Sequence, residues 1–229
     1  MRSAAARRVV AGFPIGGVGS MAADDRFRSR REEYAEATWQ AVVAAARELF
    51  GDAGYAGTTV QQIARRARVS PATVYAQCGG KQGLLKTLMD AWTAGPLVLE
   101  IIEACAAAGS GAEKLDVLAD GYVAIYRASG DIIRIVTDAA AAAPDAAEFL
   151  ETANERHHEA LVEIVAQIRE TGDLAKDLSD DDAARMIFYH FRFEQFTLAA
   201  DGFGWGETRA RDWIRERVEA AILEVQPTP

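Results

Sequence analysis

The sequence predicts an all-α protein. Apolar residues recur at helical spacing along most of its 229 residues, Gly and Pro fall where helices would end, and no strand pattern follows Pro96. Half the chain is apolar, enough for one large domain or two modest ones with a real core. Charged residues make up 26% and are interspersed, which argues against global disorder. No apolar run approaches the roughly 20 residues that span a bilayer, so no membrane partner is expected. The two cysteines, Cys78 and Cys105, have no metal or redox spacing, which suits a reducing, cytoplasmic setting.

Residues 1–30 open with a basic stretch and a mildly apolar one. A secretory signal has that outline, but Gly12, Pro14, Gly16 and Gly17 interrupt it, and a disordered basic tail is the preferred reading, with Met21 as an alternative start. Arg26, Arg28, Arg30 and Arg31 then form either a phosphate-tracking arm or a solvated charge run.

The first helix is marked by Trp39, Val42, Val43, Ala46, Leu49 and Phe50, which share one face, and Gly51 and Gly54 should stop it. Thr59 followed by Gln62 is a capping-box pattern, and Val60, Ile63, Ala64 and Ala67 make the buried stripe of a second helix. Ser70 caps a third, with Pro71 at its first position, where a missing N–H costs nothing, and Val74 facing inward. Gly79-Gly80 breaks the chain, and Lys81–Trp92 forms a fourth helix ending near Gly95-Pro96. Beyond it, Leu97–Ala108, Ala112–Ala128, Asp131–Ala143 and Pro144–Glu170 read as helices punctuated by Gly109, Gly111, Gly130, Pro144 and Gly172. Two more cover about Ser179–Ala200 and Glu207–Val225, the former with aromatics all round it, so that it must be buried on more than one side.

The short second and third helices, joined by a tight turn, have the layout of a helix-turn-helix. Charge supports that reading. Residues 1–90 carry 13 Lys+Arg against 8 Asp+Glu, net +5; residues 91–229 carry 12 against 26, net -14. Positive charge is gathered where phosphates would be met, and the acidic remainder should face away from them. The expected organisation is a tail over 1–30, a DNA-binding domain over 31–80, a connecting helix over 81–95, and a ligand-binding and dimerisation domain over 96–229.

The string F-x-x-x-G-Y-x-x-T-T-V-x-x-I-A-x-x-A-x-V-S-x-x-T-V-Y, from Phe50 to Tyr75 and extended by Lys81, Leu84 and Leu85, resembles the N-terminal domain of the TetR family of transcriptional regulators. Later helices match only in number, length and composition. Two positions depart from the pattern. Arg68 stands in the turn where the family commonly has Gly, at a cost on the order of 1 kcal/mol if its backbone is left-handed. Cys78 stands where the family usually has Phe, as a small buried hydrophobe or a redox-reactive thiol.

The resemblance implies a repressor that binds a near-palindromic double-stranded operator as a homodimer and is released by a small-molecule effector. Pro71, Ala72, Thr73, Tyr75 and Gln77 would lie on or beside the DNA-facing side of the third helix. There Gln suits adenine, and Pro and Ala suit thymine methyls. Thr59, Gln61, Arg65 and Lys81 would fix register on the backbone, with Arg68 and Ser70 beside them at the turn. The two readers would stand about one DNA turn apart, roughly 34–36 Å. The last two helices would form the dimer seam, with Trp213, Val218, Ala221 and Ile222 as candidates. An effector would bind among Trp92, Tyr122, Tyr126, Phe149, Phe188 and Phe191, residues whose simpler role is core packing. Lys81–Trp92 would carry the signal by a population shift.

No cofactor or metal is expected: His157-His158 point to different faces, and His190 with Glu194 supplies only two ligands. No nucleophile–base signature, phosphate-binding glycine loop or metal triad marks an enzyme. A helical small-molecule binder, or an enzyme without DNA function, is the alternative reading.

Overall fold

The computed structural model describes residues Arg30–Glu224, so the tail and most of the basic arm, Arg26 and Arg28 included, lie outside the described residues. Helices run in the order α1 (Arg30–Gly57), α2 (Val60–Ala67), α3 (Pro71–Cys78), α4 (Gly80–Thr93), α5 (Pro96–Ala107), α6 (Gly111–Ala142), α7 (Pro144–Thr171), α8 (Asp180–His190), α9 (Phe193–Thr197), a π-helical turn (Leu198–Gly202) and α10 (Gly206–Ile222). Among the described residues no strand forms; one isolated antiparallel bridge joins Leu174 to Leu223. The chain divides into two compact units, one of residues up to Gly95 plus Asp131–Glu151, the other of Pro96–Gly130 plus Thr152 onward.

In the first unit, α1 buries the predicted face through Val42, Ala46 and Phe50. Gly51 stays helical and the break comes at Gly54 (φ 74, ψ 162), a backbone that glycine adopts without steric penalty. The buried Thr58 hydroxyl ties that break by donating to the carbonyls of Leu49 (3.0 Å) and Gly54 (2.8 Å). Ile63 and Ala64 of α2 and Val74 of α3 are buried in the core, and α1 packs on α2, α3 and α4. Ala64, 1% exposed, has no side chain beyond Cβ, which permits close helix approach. Leu84, Leu85 and Leu88 bury one side of α4, at about 2 kcal/mol of transfer free energy each. The second half of α6 joins this unit: Ile132, Ile133, Ile135 and Val136 are buried, and Asp131 takes both Nε and Nη2 of Arg47 at 2.5 Å.

The second unit differs from expectation at two places, both for reasons of packing. Gly130 does not end a helix; α6 runs through it as one helix of 32 residues. A Cβ at Gly130 would stand 3.0 Å from Cε2 of Phe193, so the residue is a notch that receives an aromatic ring. Conversely, the expected single helix over Ser179–Ala200 breaks at Phe191 and Arg192, where Arg192 is extended (φ -75, ψ 142). On one continuous helix Phe191 and Phe193 would point about 200° apart. With the break, Phe191 stacks on Tyr122 while Phe193 meets the ring of Tyr126. The break also undoes the assumption behind pairing His190 with Glu194, because those residues no longer share one helix.

Several polar groups inside this unit are matched, although Gln167 Oε1 is buried without a hydrogen-bond partner among the described residues. The buried Lys114 ammonium donates to the carbonyls of Cys105 (2.6 Å) and Ala108 (2.7 Å), closing the end of α5. Asp173 accepts from the Gly111 N–H (2.5 Å) at the start of α6 and from the Thr171 hydroxyl. Those two hydrogen bonds hold its carboxyl below the ordinary carboxylate range.

Candidate nucleic-acid interface and aromatic cluster

The helix-turn-helix is built by caps that the sequence states explicitly. Thr59 Oγ1 accepts from the Gln62 N–H at 3.3 Å, and the Gln62 side chain accepts from the Thr59 N–H at 2.7 Å. Ser70 Oγ accepts from the Thr73 N–H at 3.1 Å and lies 2.9 Å from the Thr73 hydroxyl. Between them, Arg68 adopts the left-handed conformation (φ 58, ψ 40). That geometry lets the N–H of Arg68 reach the Arg65 carbonyl (3.2 Å) and the N–H of Val69 reach that of Ala64 (2.9 Å), a Schellman closure.

Around this frame, Gln61, Arg65, Arg68, Pro71, Ala72, Tyr75 and Gln77 are exposed, and Thr73 is half-buried. Tyr75 is 59% exposed, so it is not the core aromatic it could have been. Its ring lies against Gly80, where a Cβ would come within 2.7 Å, which leaves the side chain standing outward. Lys81 is half-buried, its ammonium 4.2 Å from the centroid of the Tyr55 ring. Arg66 is drawn aside by a bidentate pair with Glu48, whose hydrogen bonds raise its pKa. Burial pushes the Cys78 thiol up, away from the thiolate a redox sensor needs.

The second unit brings together four of the six predicted ligand-site aromatics. Tyr122 and Phe191 stack at 4.4 Å with planes 5° apart. Tyr126 stands 5.8 Å from Tyr122, and Phe188 joins through His157, ring to ring at 4.9 Å. Trp92 and Phe149 are half-buried members of the first unit. Two hydrogen bonds organise the cluster: the Tyr122 hydroxyl with Nε2 of His157, and the Tyr126 hydroxyl donating to the Phe191 carbonyl that the helix break frees. Burial is the main force lowering the His157 pKa to about 4, helped by the charges of Arg192 and His158, so its ring is neutral near pH 7. Burial likewise drives both tyrosine hydroxyls well above their ordinary range, leaving them as donors.

Sequence reasoning missed His157. Its signal was present: it lies four residues after Ala153 and four before Leu161, both buried on α7, so it occupies the apolar stripe. Its neighbour His158 points elsewhere and pairs with Asp181 at 2.8 Å. Two of the proposed seam residues are corrected by their burial. Val218 and Ile222 are fully buried within their own unit, whereas Trp213 is 42% exposed and Ala221 is also exposed.

Residues 42–88 match the model of the family described as bacterial regulatory proteins, tetR family. Over 63 residues, 28% of the chain, the sequence is 32% identical to the A-factor receptor protein of Streptomyces griseus, and it spans 23% of that relative's length. The fold is shared over much greater lengths. SmeT, the repressor of the Stenotrophomonas maltophilia multidrug efflux pump SmeDEF, superposes with a TM-score of 0.66 over 85% of this chain and 99% of its own, at 16% identity. FadR from Bacillus subtilis in complex with stearoyl-CoA gives 0.68 over 80% and 99%, at 18% identity. The signature of that family thus runs from the second half of α1 into α4, and the fold shared with SmeT and FadR continues through the later helices.

Proposed function

We propose that the chain is a ligand-responsive transcriptional repressor that binds a near-palindromic operator as a homodimer. The observation that carries this reading is the capped α2–turn–α3 element, with Pro71, Ala72, Tyr75 and Gln77 exposed on a helix too short to serve any large packing role. Thr73 and Gln77 read bases, Arg65 and Tyr75 hold phosphates, and Thr59, Ser70 and Lys81 position the frame around them. Electrophoretic shift of the DNA upstream of the encoding gene, against random DNA at equal length, tests it. Equal affinity for both at 150 mM salt, a level at which phosphate contacts alone bind weakly, would refute sequence-specific regulation.

A second copy docks on α8 and α10. Met186, Tyr189 and Trp213 are exposed there, and a shallow groove of about 350 Å³ lies along Leu178, Asp182, Arg185, Met186, Tyr189 and His190. Acidic Asp180–Asp182 on one helix and Arg209 and Arg217 on the other supply complementary charge for an isologous contact. The effector site is the Tyr122–Tyr126–Phe188–Phe191 cluster, which favours a largely apolar molecule able to meet a hydroxyl or imidazole. SmeT has been seen with triclosan and FadR with stearoyl-CoA, each a molecule with a large apolar part. The apo dimer holds its readers at operator spacing, and the effector favours another arrangement, with α4 as the connecting lever. The protein binds and does no chemistry on its ligand, and it works in the cytoplasm.

A further inference from the structure

Arg68 is the one non-glycine residue with a positive φ among the described residues. The Schellman closure of α2 demands that backbone, and glycine supplies it freely, so an arginine there holds the turn in a disfavoured conformation. No side-chain contact of Arg68 among the described residues offsets this. The side chain is exposed, and it makes no hydrogen bond or ion pair among the described residues. Its neighbours are otherwise engaged: Arg66 is held by Glu48, Thr59 by Gln62, and Ser70 by Thr73. Along α2 and its turn, Arg65 and Arg68 are therefore the guanidiniums left free for an outside anion. Arg68 sits two residues before the Ser70 cap, beside the exposed start of α3. Backbone strain kept without internal compensation points to a partner outside the chain.

Resting on the DNA-binding reading above, we infer that Arg68 grips a backbone phosphate at the turn between α2 and α3. It thereby adds sequence-independent affinity that glycine at this position would forgo.

The test compares wild type, R68G and R68K by fluorescence anisotropy. Two duplexes of about 30 base pairs, three turns of B-DNA, are used over a series of KCl concentrations. One is recovered from a random library by the wild-type protein, the other is of random sequence. R68G should melt a few degrees higher, because the turn relaxes, yet bind both duplexes several-fold more weakly. The slope of log affinity against log salt should become shallower by about 0.9, the signature of one lost phosphate contact. R68K should keep most of the slope. R68G matching wild type in affinity and slope overturns this inference alone, as does a loss confined to the selected duplex with the slope unchanged. A wild type that binds neither duplex overturns the DNA-binding reading and this inference together.

Discussion

The two units place their polar side chains in opposite ways. Around α2 and α3 the cap hydroxyls of Thr59 and Ser70 sit at helix ends, exposed, each satisfied by a backbone N–H one turn on, and the side chains of Gln61, Arg65, Arg68 and Gln77 beyond them are left in water. Between α5 and α10 a set of polar groups is internal: a lysine ammonium among carbonyls, a tyrosine on a histidine, another tyrosine on a carbonyl released by a broken helix. The first arrangement is a rigid frame with free groups, suited to a partner that brings its own charges. The second is a closed network, and any molecule entering it must break hydrogen bonds that are strong because water is excluded.

If that contrast is right, removing an internal polar group should hurt far more than removing a cap. The largest effect is expected at Lys114. Lys114→Ala removes two charge-assisted hydrogen bonds and reopens the end of α5, and should cost about 3 kcal/mol in urea unfolding monitored by circular dichroism. A loss under 1 kcal/mol would mean that water replaces the ammonium without penalty.

His157 should make the second unit sensitive to acid. Its folded pKa, about 4, lies below the ordinary 6.5, so the unfolded chain takes up the proton first as pH falls. The stability it confers is complete above about 6.5 and is lost as pH drops towards 4, by about 3 kcal/mol at the full shift. Melts at pH 7.5 and 5 should show the loss, and His157→Gln should flatten that part of the profile; a variant with the wild-type profile would rule the residue out.

Ser70→Ala takes away one helix cap and should lower stability by about 1 kcal/mol while leaving the second unit's acid response intact. Smallest is the Arg47–Asp131 pair. Its geometry is bidentate, but both side chains are about 40% exposed, so Asp131→Asn should cost at most about 1 kcal/mol. Arg47 holds the Asp131 carboxyl below its ordinary range, so that contribution should be present above the usual carboxylate pKa and vanish as pH falls through the lowered one. A thermal titration of the variant against wild type should therefore converge as pH falls below the ordinary 3.8.

The same contrast explains what the sequence made legible. Thr59 with Gln62, Ser70 with Pro71, and the stripe Val60, Ile63 and Ala64 are local signals, each read within a few residues, and the structure realises them. The helices of the second unit were located, but their breaks were not. Gly130 looked like a terminator because its partner, Phe193, is 63 residues away, and the break at Phe191–Arg192 depends on Tyr122 and Tyr126 of another helix. At the candidate site the aromatic content is visible in the sequence, whereas the burial of His157 follows from its place on the α7 stripe, one turn from the buried Ala153 and Leu161, and not from its adjacency to His158. Val218 and Ile222 were misplaced at the seam because apolar spacing alone does not say which of two apolar surroundings a helix face meets.

The notch at Gly130 has a consequence for how this sequence can change. Volume at positions 130 and 193 is shared, so neither can be altered independently. Gly130→Ala alone should be penalised by the ring of Phe193, although alanine is otherwise the better helix former. Paired with Phe193→Leu, the same substitution should be tolerated. A library randomised at both sites and selected for folding should return compensating pairs, with a small residue at one and a large one at the other, and the genetic distance between two fit sequences there is two steps rather than one.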